Sequence, residues 1–377
     1  MADVIVIGGG LTGCATAYYL AADGVPVTLL EQGDLNTQAS GSNAGSLHLQ
    51  IPSEPFRLLG DHWARAFSPA LRLFTGSLEM WRGLSAELGT DLEVKLRGGL
   101  LVAATDEELA LLERKAAIER SGGADVQVIG RDELRALAPY LSERMIGAAF
   151  CPVEGKANPL VAAPAYAAAA ARLGAEVRRG VRVTGLRRER GAYVVATDTG
   201  ELRARRVVNA AGAAAGEVAG WLGVRLEMRA ASIQVSVTEA IEPLVPHLVY
   251  SAGRKLTLKQ NGLGQLLIGG GWPARIDARG RPVADPDTLA QNLGVALEVV
   301  PRIGPVQVLR TWAAYVNGTD DWRPLIGEVP GLPGFFLCYV PWLGFTGGPA
   351  AARIVASQLQ GRAPALDVDA GAFAVAA

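Results

Sequence analysis

Cysteine and histidine are scarce in these 377 residues, with three of each. Cys14, Cys151 and Cys338 are far apart and odd in number, so no disulfide framework follows and a reducing compartment is expected. There is no CxxC pair to hold zinc or an iron–sulfur cluster, and His48, His62 and His247 stand isolated, which argues against a metal site. A charge excess of either sign is also missing: 36 Lys and Arg against 37 Asp and Glu leave a net charge of -1. No run of like charges is longer than LRRER at 186–190, which reads as a solvated turn, and nothing points to nucleic acid. The longest apolar stretches, 160–171 and 335–345, fall short of the ~20 residues that a transmembrane span requires. The chain enters Val4-Ile5-Val6-Ile7 without a basic leader, so no signal peptide is read and a cytoplasmic location is expected. No internal repeat is visible.

Glycine and apolar residues are abundant. The 46 glycines punctuate a chain that is half hydrophobic, enough for a large core, and the length suits two domains. Residues 3–7 read as a buried strand, 11–22 as a helix stopped near Gly24, and 27–31 as a second strand. Between the first strand and the helix lies Gly8-x-Gly10-x-x-Gly13. The first glycine permits a tight turn, the second lets backbone approach a pyrophosphate, and the third lets helix and strand pack closely. The helix N-terminus then offers N–H groups and a positive dipole end to phosphates. Glu31 follows at the end of the second strand, placed to accept ribose hydroxyls and to repel a 2′-phosphate. Strand, turn, helix, strand and acid in this order indicate a dinucleotide site that disfavours NADP. Further Gly-rich turns at 211–212 and 344–348 favour a long, extended dinucleotide such as FAD.

The remainder reads as an α/β chain (α+β overall). The small-residue stretch 36–50 is either a flexible linker or a loop that lets a ligand approach the backbone. Residues 56–95 carry helical apolar spacing, with an aromatic stripe from Trp63 to Trp81 read as core. Further helices are expected at 106–121, 159–173, 285–299 and 349–359. Strands are expected at 98–103, 176–186, 192–198, 206–212, 232–238, 265–271 and 335–339. The Ala-rich last ~15 residues are expected to fray.

Six segments in order, VIVIGGGLTGCATAYYLAADGVPVTLLEQ, ASGSNAG, EGKANP, VVNAAG, DDWRPLIGEVPG and GFTGGPAAARIVA, resemble the FAD-dependent amine and amino-acid oxidoreductases of the D-amino-acid oxidase superfamily. The run ASGSNAGSLHLQ is most similar to the flavin-carrying (beta) subunits of heteromeric opine oxidases and D-hydroxyproline dehydrogenases. The resemblance implies a Rossmann-like FAD domain from residues 1–85, 145–225 and 310–377, with a mostly antiparallel substrate domain from 86–144 and 226–309. The cofactor-binding residues it implies are Gly8, Gly10, Leu11, Thr12, Gly13, Glu31, Gln32, Ser40, Gly41, Ala44, Gly45, Ser46, Val183, Ala211, Gly212, Gly344, Phe345, Thr346 and Gly347. Of these, Ala44, Gly45 and Ser46 would line the flavin ring, Val183 would touch the adenosine end through its backbone, and residues 344–347 would sit at the ring's pyrimidine end.

Two departures qualify the resemblance. Aligning Trp312-Ala313-Ala314-Tyr315 puts Val316 where glycine oxidases carry a carboxylate-clamping arginine. The covalent flavin cysteine of monomeric sarcosine oxidases falls near Ala313, with Cys338 in the following strand, so FAD is expected to be non-covalent. The implied reaction is hydride transfer from the carbon beside nitrogen to flavin N5, followed by imine hydrolysis. His48 is a candidate for flavin contact or amine deprotonation, or else a structural histidine. Lys259 and Arg310 are candidates for a substrate carboxylate, or else surface or ion-paired residues, and Tyr250 and Tyr339 are candidate pocket residues. Partner subunits that take electrons onward, through FMN or an iron–sulfur centre, are implied. The alternatives are a stand-alone oxidase using oxygen and a flavin-binding subunit without amine oxidation.

Overall fold

The computed structural model describes residues 2–364 and 366–375. The first strand, Ala2–Ile7, is central: Val4, Ile5 and Val6 are fully buried, as expected for a parallel strand covered on both faces. Parallel neighbours flank it in the order Phe335–Tyr339, Gly200–Asn209, Ala2–Ile7, Val27–Glu31, Glu176–Arg179. Leu325–Glu328 adds an antiparallel edge, and the strands Val183–Glu189 and Ala192–Thr197 extend Gly200–Asn209 as an antiparallel meander. The helix Leu11–Ala22 packs between Pro159–Arg172 and Gly344–Leu359. Small residues line these contacts, among them Cys14, Ala15 and Ala17, Ala162 and Ala170, and Ala350 and Ala351, and they let three helices lie close over the glycine turn. Pro159 opens its helix at the first position, with Asn158 Oδ1 accepting from Leu160 N at 3.0 Å.

The second sheet runs Val308–Gly318, Arg229–Ala240, Gln265–Gly269, Thr257–Gln260, Leu248–Ser251, Gly99–Ala103, Gly147–Cys151, Gln127–Gly130. All neighbours are antiparallel except Leu248–Ser251 with Gly99–Ala103. The helix Pro286–Val299 covers one face, tied down by Asn292 Nδ2 donating to Gly269 O at 3.0 Å. The architecture is thus a mixed α/β fold with a Rossmann-like sheet and a mostly antiparallel one.

Several details differ from the sequence expectation. Gly147–Cys151 and Val308–Gly318 both pair within the second sheet, so boundaries at 145 and 310 do not coincide with the sheets. The 56–95 stretch is two helices, Ser53–Phe67 and Pro69–Leu88, because Ser68-Pro69 starts a new one; Gly60, at φ 73°, breaks the first internally. The last helix starts at Gly344 rather than 349, since Gly347 and Gly348 let its first turn press on Phe74 and Leu11. The described part of the tail packs instead of fraying: Phe373 and Val375 are buried and Asp369 caps a short turn of helix. The remaining tail residues, 365, 376 and 377, lie outside the described residues.

Candidate active site

The glycine turn shows why each glycine is needed. Gly8 adopts φ +113°, and a Cβ there would lie 2.4 Å from Ala210 O. A Cβ on Gly13 would lie 1.9 Å from Gly8 O, so the helix touches the turn backbone to backbone. Glu31 braces this turn, its carboxylate accepting from Gly9 N at 2.7 Å and Gly33 N at 2.8 Å. The loop after the second strand folds back over it: Leu11 N donates to Ser40 Oγ at 3.0 Å, and Gly41 packs where a Cβ would meet Asn36 O at 2.0 Å. The first N–H groups of a helix have no helical acceptor, and with Leu11 N held by Ser40, those of Thr12 and Gly13 suit an anion. Ala211 and Gly212 stand half-buried beside the turn, where Ala210 O meets Gly8. Val183 begins its strand just after Val181 N donates to Glu31 O at 2.9 Å, and Gln32 is exposed. A cradle closed to any Cβ and edged by an acid fits the adenosine and pyrophosphate of FAD.

The stretch 36–50 is a built loop and not a linker. Asn43 folds it by accepting from Gly45 N at 2.7 Å and donating to Ser40 O at 2.6 Å. Gly45, at φ +75°, lies so close to Ala157 O that a Cβ would be 2.2 Å away. Ser46 and Leu47 then pair with Lys156 and Gly155. His48 N donates to Thr346 Oγ1 at 2.9 Å, while Thr346 O receives Ser77 Oγ and Trp81 Nε1, which anchors the N-terminus of the last helix. Trp312 Nε1 donates to Ser42 O at 2.8 Å and ties the second sheet to the same loop.

Between loop and sheet opens a cavity of about 1000 Å³. Ala44, Ser46, His48, Phe345 and Thr346 form one wall. The sheet forms the other, with Ala231, Ile233, Trp312, Ala314 and Val316. The Val316 position is therefore apolar cavity wall. Glu54 and Asp320 are the only carboxylates lining the cavity among the described residues, and each is ion-paired, with Lys255 at 3.2 Å and Arg229 at 2.9 Å. None of the three cysteines lines it; Ala313 faces away, since Trp312 and Ala314 face in. Burial pushes the Cys14 and Cys338 thiols up to about 12.

The structure brings two of the four candidate catalytic residues together. His48 Nδ1 and Tyr250 Oη are 2.7 Å apart at the cavity wall. Burial, reinforced by the Lys259 ammonium, pushes His48 down to about 3, so the imidazole is neutral, while burial raises Tyr250 well above its usual range. Neither Lys259 nor Arg310 lines this cavity. Lys259 is fully buried behind the loop with Nζ on Ser46 Oγ at 2.6 Å, and Arg310 is exposed, opposite Val237, outside the cavity. Tyr339 is likewise spent elsewhere, on Asn317 Oδ1 at 2.7 Å. Sequence reading missed Glu154, Gln50, Lys115 and Glu119, a buried polar cluster behind His48. Their only local signal was the carboxylate in EGKANP, which no periodicity connects to His48.

Burial, and then the Lys156 ammonium, push Lys259 from 10.5 down to about 7. The unfolded chain therefore holds more protons between those values, and stability should rise with pH across that window. Urea unfolding at neutral and alkaline pH should show this slope in the wild type and lose it in Lys259→Met. That variant should be more stable near neutrality by on the order of a few kcal/mol; an unchanged slope would contradict the assignment.

The FAD dependent oxidoreductase family model (DAO) matches residues 3–358. The chain belongs to this family. An opine oxidase subunit of Rhizobium meliloti is 26% identical over 368 residues, covering 95% of this chain and 93% of that one. Glycine oxidase of Pseudomonas aeruginosa is 28% identical over 370 residues, covering 97% and 96%. Among solved structures, L-proline dehydrogenase from P. horikoshii superposes with a TM-score of 0.84 at 25% identity, covering 97% of this chain and 95% of that one. No helix among the described residues is long and apolar enough to cross a membrane.

Proposed function

We propose that this FAD-dependent amine or amino-acid oxidoreductase oxidises a C–N bond in the cavity between loop 43–48 and the second sheet, as the flavin subunit of a heteromeric opine or D-hydroxyproline type dehydrogenase. Bound FAD supplies the hydride acceptor, and the imine product hydrolyses in water. The chain's own residues supply position and dryness. The observation that carries the reading is that, among the described residues, the cavity is lined by no free carboxylate: Glu54 and Asp320 are held by cations and His48 is neutral. An amine entering there meets no acid that would keep it as ammonium, and only the neutral amine releases hydride. The apolar wall at Val316 favours a bulkier substrate than glycine.

The heteromeric part rests on a second observation. Lys95 and Arg97 are exposed and Lys156 is half-buried beside the flavin loop; none is ion-paired among the described residues. Burial, then Lys95 and Arg97, push Lys156 down to about 8. With Glu93 as the carboxylate that opposes this shift, the cluster keeps an excess of positive charge that suits an anionic group carried by a partner, be it a flavin phosphate or an acidic surface. Isolation from the native host should yield a stoichiometric second protein, and the lone chain should form little peroxide with its substrate. A fully active lone chain producing peroxide would establish the stand-alone oxidase instead.

A further inference from the structure

We infer that Glu154 is a positioning residue for the amine oxidation proposed above: acting through Tyr250, it fixes the His48 tautomer so that Nε2 faces the cavity as a hydrogen-bond acceptor for the substrate's N–H. Glu154 lies on the turn before Gly155–Lys156 and has no exposed surface. Its Oε1 accepts from Leu49 N at 2.6 Å and Gln50 N at 2.7 Å. Its Oε2 accepts from Gln50 Nε2 at 3.1 Å and from Tyr250 Oη at 3.3 Å. Four donors converge on this carboxyl. Contacts of this length to backbone N–H are typical of an ionised acceptor. Lys115 stands behind, its Nζ on Gln50 Oε1 at 3.3 Å.

An ionised carboxylate can only accept. Tyr250 therefore spends its one hydrogen on Glu154, and its oxygen is what remains for His48. At 2.7 Å the His48 Nδ1 must then be the donor. A neutral imidazole with hydrogen on Nδ1 carries a lone pair on Nε2. His48 lines the cavity, and its Nε2 makes no hydrogen bond among the described residues. The lone pair thus meets the substrate, accepts one N–H of the neutral amine and holds the nitrogen in one orientation. The groups that face this relay are Lys259 and Tyr250 against His48, and Lys115, Glu119 and Cys151 against Glu154. Burial raises Glu154, opposed by the N–H groups of Gln50 and Leu49 and by Lys115.

Glu154→Gln reverses the chain of donors without changing its shape. The amide oxygen can keep the two backbone N–H groups, which puts the NH₂ group toward Tyr250, while Gln50 Nε2 loses its acceptor and must turn away. Tyr250 then donates to Nδ1, and His48 must carry its hydrogen on Nε2, where it repels an amine N–H. The holoenzyme with ¹⁵N-labelled histidine has only His48, His62 and His247 to assign, and long-range proton–nitrogen correlation reads each tautomer. Nδ1–H is expected at His48 in the wild type and Nε2–H in Glu154→Gln. The rate of anaerobic flavin reduction should fall about tenfold or more at unchanged FAD content. Tyr250→Phe cuts the link, so adding Glu154→Gln to it should cost little further rate. A wild-type His48 bearing Nε2–H would overturn the inference, as would a Glu154→Gln enzyme with the wild-type tautomer and rate. Should Glu154→Gln fail to fold, the wild-type and Tyr250→Phe spectra still decide. If no amine reduces the wild-type flavin, the amine-oxidation reading fails, while the tautomer measurement still judges Glu154 separately.

Discussion

Gly13→Ala should give a colourless protein that binds FAD at least about a hundredfold more weakly, a loss of roughly 3 kcal/mol. Alanine is a better helix former than glycine, so propensity alone would stabilise Leu11–Ala22 by up to about 1 kcal/mol. The collision decides the sign. A methyl 1.9 Å from Gly8 O cannot be accommodated by a side-chain rotation, because both atoms are fixed by backbone. The helix must back away from the turn, and the N–H groups of Thr12 and Gly13 retreat from the pyrophosphate with it. Gly83→Ala, in the helix Pro69–Leu88 with nothing within 4 Å of the added methyl, is the matched control and should retain flavin. The ratio of visible to ultraviolet absorbance after reconstitution, with far-ultraviolet circular dichroism to confirm folding, measures both. A yellow Gly13→Ala protein with unchanged FAD affinity would contradict the packing argument.

Lys115→Met should destabilise the fold by about 3–5 kcal/mol, because it leaves buried carboxylates without their cation. Lys115 has no exposed surface; it pairs with Glu119 and supports Gln50, which holds Glu154. Glu119 in turn accepts from Ile51 N at 2.6 Å, so the whole 49–51 backbone hangs on these two acids. Burial raises both carboxyls. Without Lys115 both should rise further. A native-state carboxyl raised above its unfolded value binds more protons than the unfolded chain above about pH 4.5, so stability falls as pH rises. The deficit of Lys115→Met should therefore be larger at pH about 8 than at pH about 5, as urea titrations of both proteins would show. A deficit under about 1 kcal/mol, independent of pH, would mean the carboxylates find other partners.

The dinucleotide cradle was legible in sequence because its parts are local. Gly8, Gly13 and Glu31 lie within one βαβ unit; the positive φ of Gly8 and the contact of Gly13 with Gly8 O arise inside it, and only the approach of Ala210 O to Gly8 comes from outside. The cavity was only partly legible. His48 and Tyr250 are 202 residues apart, and Tyr250 and Glu154 are 96 apart, so their meeting depends on how the two sheets dock. A charged residue in a strand does not announce whether it meets ligand, core or water: Lys259 turned out to brace Ser46, and Arg310 to face solvent. The long strand Val308–Gly318 was split by a boundary because its membership is set by ten paired positions on Arg229–Ala240, not by its own composition. The start of the last helix was misplaced for a similar reason, since Gly347 and Gly348 look like a turn until Phe74 and Leu11 are seen against them.

The most direct test is the visible spectrum of the purified chain, recorded anaerobically before and after adding glycine, sarcosine, D-proline, D-hydroxyproline, octopine or nopaline. The expected result is an oxidised flavin spectrum, released intact on acid denaturation, that at least one of these amines bleaches. A chain that takes up no FAD, or a bound flavin that dithionite bleaches and no amine does, would contradict the assignment of this cavity to amine oxidation.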